Sequence, residues 1–187
     1  MKESVYKIKS VKIKNLLWMT EDLNLDDGGE GIAHKDGHFY YTIKAAKRLA
    51  KFIGKGWRLP KYEEFRTAIF ATNGKKDDHS CNVYNTYTFR DKLKMKMGSG
   101  SSTIDYMDFK ATRSVPVRVF YVGKKDPDPK HRVNVYWTGN RPHSPNGLPN
   151  CPATTAVWFD DDTLGKMWSH CVYLKNNFYS IRLVKDI

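Results

Sequence analysis

The chain has 187 residues, with 32 lysines and arginines against 20 aspartates and glutamates, a formal net charge of +12. At 40% hydrophobic and 13% aromatic residues it is too rich in large apolar groups for a disordered polymer, and its length suits a single domain, 1–187, with one sizeable core. No run approaches the ~18 apolar residues of a membrane helix, and MKESVYKIKS has no apolar stretch behind its charges, so neither membrane insertion nor an export signal is expected.

Three cysteines, Cys81, Cys151 and Cys171, allow at most one bridge and one free thiol, which argues against a disulfide framework and for assembly in a reducing compartment. Whether Cys151 and Cys171 pair is left open, with separate thiols the simpler reading. The cations are spread along nearly the whole chain and alternate with apolar residues (Lys7, Lys9, Lys12 and Lys14 with Val5, Ile8, Val11 and Ile13). That pattern describes a solvated cationic surface better than a nucleic-acid groove, and no zinc-finger, P-loop or aromatic RNA-binding spacing accompanies it.

In chain order, residues 5–18 read as extended structure, and the acidic, glycine-rich segment Glu21 to Gly31 as loop. The aromatic run Phe39-Tyr40-Tyr41 leads into a first helix with Thr42 as N-cap, Ala46, Leu49, Ala50 and Ile53 on one face, and Gly54 as its stop. A second helix is expected from Pro60, with Glu63 and Glu64 at its positive end and Asn73-Gly74 closing it. Residues 75–132 read as a variable insert of loops around one or two strands, among them 115–121. Four strand candidates follow, at 133–137, 155–159, 168–174 and 178–184. Two helices and then a run of short strands predict the α+β class.

Several of these segments resemble one family. Trp18-Met19-Thr20-Glu21-Asp22-Leu23-Asn24, Tyr40-Tyr41-Thr42 with its alanine-rich helix, Gly56-Trp57-Arg58-Leu59-Pro60, Tyr136-Trp137-Thr138 and Tyr179-Ser180-Ile181-Arg182-Leu183-Val184-Lys185-Asp186 stand in the order found in the Fibrobacter succinogenes major paralogous domain. The resemblance covers about residues 11–187. It implies a C-type lectin-like fold, similar also to formylglycine-generating enzymes: two helices packed on a small twisted antiparallel sheet, paired termini and long irregular loops. It also implies that Trp18, Trp57, Arg58 and Trp137 are scaffold rather than chemistry. Two departures are clear. The family's cysteines before G-W-R-L-P and in the last strand are replaced here, by the segment Ile53 to Lys55 and by Leu183, and 104–132 does not match the family's glycine-rich segment. Without that disulfide and without an export signal, a phage-encoded copy assembled inside a bacterium is the expected setting, with a secreted cell-surface or fimbrial adhesin as the alternative.

No catalytic constellation emerges. His34 and His38 flank a turn, and no segment matches the catalytic cysteine pattern of formylglycine-generating enzymes, which leaves a sulfatase-modifying activity a distant third reading. No cofactor is expected. Asp160, Asp161 and Asp162 are the calcium candidates, although the acidic or amide residue that precedes proline in calcium-binding lectins is absent, and a turn-rich loop followed by an exposed acidic hairpin end is the favoured account of them. The expected partner-binding residues are Tyr136, Asn140, Arg141, His143, Trp158, Asp160, Asp161, His170 and Tyr179, whose rings offer stiff contact area and whose polar groups offer directional hydrogen bonds. The partners so implied are other virion or surface proteins, or a cell-surface glycan, with homo-oligomerisation left open and the +12 charge serving attraction to acidic neighbours.

Overall fold

The computed structural model describes residues 6–35, 37–75, 85–95, 109–110, 116–117, 133–139, 154–160, 167–172 and 178–187. Strands β1 (Ser10–Ile13) and β2 (Leu16–Met19) form an antiparallel hairpin where the sequence suggests one extended stretch. The reversal falls at Lys14, in the left-handed region with φ 55°, which a Lys-Asn pair does not advertise as a glycine would. A second hairpin, β3 (Ile32–Lys35) and β4 (His38–Tyr41), follows the expected loop and takes in the aromatic run. Asn24 fastens its turn, donating to the Gly37 carbonyl at 3.3 Å and accepting the Phe39 N–H at 3.1 Å.

Helix α1 (Ile43–Ile53) is the helix its capping residues predict: Thr42 accepts the Ala45 N–H at 3.3 Å, and Gly54, with φ 64°, returns its N–H to the Ala50 carbonyl. Gly31 (φ 80°) lies against this cap, and a Cβ there would overlap the Thr42 hydroxyl, so the position accepts only glycine. A two-residue strand β5 (Trp57–Arg58) precedes α2 (Tyr62–Thr72). This helix begins after Pro60 rather than at it. Glu64 accepts the Lys61 N–H at 2.7 Å, and the Pro60 carbonyl instead takes the Gly139 N–H at 2.9 Å. The short α3 (Tyr87–Lys92) was not expected, since six residues carry too little periodicity to stand out.

Beyond α3 come β6 (Phe109–Lys110), β7 (Pro116–Val117), β8 (Val133–Trp137), β9 (Thr154–Asp160), β10 (Met167–Val172) and β11 (Val184–Asp186). Of the strand expected at 178–184, Tyr179 and Ser180 make only isolated bridges, and regular pairing starts at Val184. The strands form sheets of order β1-β2-β11-β5 and β10-β9-β8 plus two two-stranded pieces, so the class is α+β.

Two buried clusters hold these layers. One gathers Leu23, Tyr41, Leu49, Trp137, Tyr179 and Leu183 around α1. The other gathers Trp18, Phe65, Phe89 and Phe159 between the four-stranded sheet, α2, α3 and β9, with Trp18 edge-on to Phe65 and Phe89 at 5.0 and 5.4 Å. Each such ring contributes roughly 1.5–3 kcal/mol by burial. Trp57, which the resemblance implies is scaffold, is half-buried on β5 and packs against the first cluster.

Candidate binding surface

The three-stranded sheet carries most of the described candidates. Its register sets Trp158 opposite Val135 on β8 and Trp168 on β10, Asp160 opposite Val133, and His170 opposite Ala156. Trp158 and Trp168 thus form a cross-strand pair of positions, and Asp160 closes β9 at one end of the sheet. Asn140, Arg141, His143, Asp161 and Asp162 lie outside the described residues. Among the described residues no three His, Cys, Asp or Glu side chains gather as a metal-binding group.

Two candidates change role. Tyr136 is 1% exposed and Tyr179 2%, so neither presents a ring to a partner. Their strand segments are covered on both faces, a condition that alternation within a short run does not reveal. Tyr136 lies within the second cluster, and its hydroxyl donates to Asp22 Oδ1 at 3.2 Å. Tyr179 packs on Trp137, with ring centroids 4.6 Å apart, and its backbone exchanges two 3.0 Å hydrogen bonds with Tyr41.

The strongest polar arrangement was not foreseen: it is a buried anchor. Arg182, with 5% of its side chain exposed, donates Nε to Asp22 Oδ1 at 2.6 Å and Nη1 to the Leu93 carbonyl, and its guanidinium lies 5.6 Å from the Tyr136 ring centre. Burial opposes its charge, but Tyr136 and Asp22 together outweigh that and raise the pKa, so Arg182 stays protonated. The group ties the segment after β2 to β8, to the end of α3 and to the approach to β11. Both residues fall in family-like segments, yet nothing in two residues 160 positions apart signals a pair.

Two further ion pairs sit nearer the surface. Arg58 grips Glu64 at 2.7 and 2.8 Å and reaches Asp186 at 2.9 and 3.2 Å, joining β5, α2 and β11. Arg48 holds Asp27 at 2.7 and 2.9 Å, which keeps that carboxyl below its usual pKa against the opposing effect of burial, with help from the Gly29 N–H at 3.0 Å. A carboxyl whose pKa is depressed on folding contributes stability above its unfolded value, ~3.9, and loses it as the pH falls through the folded value. The difference in urea midpoint between the wild type and Asp27→Asn is therefore expected to be constant at neutral pH and to shrink steadily below about pH 4. A difference that does not change with pH would show that the pair adds nothing.

The family-like segments converge. Val184 of β11 is in register with Trp18 of β2 on one side and Arg58 of β5 on the other, and Trp137 Nε1 donates to the Tyr41 carbonyl. Comparisons with family models, with curated proteins and with solved structures found no match in any of the three.

Proposed function

We propose that this protein is a non-enzymatic binding module of C-type lectin-like fold, resembling the Fibrobacter succinogenes major paralogous domain, and that it serves as a head- or tail-fibre-associated protein of a phage virion. It recognises a protein or glycan partner through the β8–β10 sheet and the segments that join its strands. The observation that carries this reading is that the segments resembling the family hold one another in place: Val184 pairs with Trp18 and with Arg58, the Met19 N–H donates to the Leu183 carbonyl, and Trp137 donates to the Tyr41 carbonyl. Residues occupied in holding strands and helices together are unavailable for chemistry, which leaves recognition to the parts that vary on top of them.

Trp158→Ala and Asp160→Ala test the site. Each is expected to weaken capture of the partner, read on a glycan array and by pull-down from host-envelope extract, about tenfold or more, as loss of a central contact does. The melting temperature should move less than it does for a core substitution. Unchanged binding in both variants would remove the site from this sheet. Mass spectrometry of purified virions tests the setting: its detection beside head or fibre subunits supports the virion role, and its recovery from the bacterial surface alone would favour an adhesin.

A further inference from the structure

We propose a second recognition surface, one that takes a linear acidic polysaccharide, along one end of the four-stranded sheet and the adjoining end of α1. It shares no residue with the β8–β10 sheet. Pairing across the four strands sets Lys12, Leu17, Lys185 and Trp57 in one row. Because successive residues of a strand alternate between faces, this row lies on the face opposite Trp18 and Val184, at the open end of the face whose Met19, Leu59 and Leu183 are buried in the first cluster. Lys12 is exposed, and Leu17, Lys185 and Trp57 are half-buried.

The row continues onto the helix. Gly56 (φ 81°) has no side chain, and a Cβ there would lie 3.8 Å from Cγ and Cε of Lys185, so the lysine stem runs beside the turn that carries exposed Lys55. From that turn α1 leads away with Lys51, Lys47 and Lys44 exposed and not one acidic residue in its eleven. Successive lysines along it lie about 4.5–6 Å apart along the helix axis. Phe52, 58% exposed, stands among them.

None of these lysines is ion-paired among the described residues, whereas Arg48 and Arg58, which border the strip, are held by Asp27, Glu64 and Asp186. The strip therefore offers unneutralised point charges interrupted by single apolar contacts. Nucleic-acid recognition draws on arginine forks and ranks of stacked bases, and here the bordering forks are occupied. A bilayer needs a continuous apolar wedge, and Phe52 stands alone. A sugar polymer bearing carboxylates suits the strip: its charges meet the lysine row, and the C–H faces of single sugar rings lie on Phe52 and the open part of Trp57.

The test is binding to immobilised alginate, a polyuronate, with neutral dextran, single-stranded DNA of equal charge and vesicles of phosphatidylcholine with phosphatidylglycerol as separate arms. Alginate is expected to bind the wild type most tightly and to weaken steeply between ~50 and ~200 mM salt. Lys51→Glu/Lys55→Glu/Lys185→Glu should lose at least about tenfold, and Phe52→Ala a few-fold with an unchanged salt slope. Should half-buried Lys185 not tolerate the change, Lys51→Gln/Lys55→Gln gives the same answer from exposed positions alone. Trp158→Ala and Asp160→Ala should leave alginate binding untouched, which separates this surface from the β8–β10 site. Wild-type affinity in the lysine variants, tighter binding of DNA or vesicles, or no alginate binding at low salt would each overturn the proposal.

Discussion

Arg182→Ala is expected to destabilise the fold by about 3–5 kcal/mol, the usual cost of removing one partner from a buried ion pair. The guanidinium accounts for three attachments at once: the Asp22 carboxylate, the Leu93 carbonyl and the face of Tyr136. Asp22 is already short of partners, since its Oδ2 is buried with no hydrogen bond among the described residues. With Arg182 gone, its charge is stranded with the Tyr136 hydroxyl as its one side-chain donor among the described residues. Asp22→Asn/Arg182→Met should be less destabilised than Arg182→Ala, because neither charge remains to be buried alone. Urea denaturation of the wild type, Asp22→Asn, Arg182→Met and the double variant gives the coupling. If Arg182→Ala lies within about 1 kcal/mol of the wild type, the anchor is not what holds these segments together.

Trp18 and Trp137 are both about as buried as a side chain can be, at 0% and 1% exposed, and alanine at either should cost about 3–5 kcal/mol. Phenylalanine separates them. The Trp137 indole N–H donates to the Tyr41 carbonyl, so Trp137→Phe loses a made hydrogen bond as well as volume. The Trp18 indole N–H is buried without an acceptor among the described residues, so Trp18→Phe removes a donor that folding had already stripped of water. Relief of such a group is worth about 1–3 kcal/mol, and Trp137→Phe should be the costlier change by about that amount. Equal losses in the two would mean that ring volume alone governs both sites.

What the residues disclosed in advance follows from how local each signal is. Helix α1 was legible because Thr42, Gly54 and four buried small or apolar residues all act on one eleven-residue helix and its two caps. Strand β8 was read to the residue, and β9 and β10 to within two, because their β-branched and aromatic runs are bounded by turn residues. The hairpin at Lys14 was missed because it lacks a turn residue of the usual kind, whereas at Gly37 the turn between His34 and His38 was read but the four-residue strands on either side of it were not. For the candidate site, composition identified residue types suited to recognition but not their depth. Tyr136 and Tyr179 are as aromatic and polar as a ligand contact should be, and only the far segments that cover them, around Asp22 and Tyr41, place them inside. Long-range polar partners such as Asp22 and Arg182 were invisible for the same reason.

The strand β11 lies between β2 and β5, and its Asp186 meets Arg58 across 128 positions of chain. A ribosome adding roughly 5–20 residues per second has therefore made every other described strand and helix before the middle of that sheet exists. Until then β2 and β5 have no strand between them, and Trp18 and Leu16 lack the Val184 row that completes their cover. Acquisition of the fold is thus a late, single event with slow, non-local closure. During synthesis the first half of the protein is a natural client for chaperones that shield open strand edges.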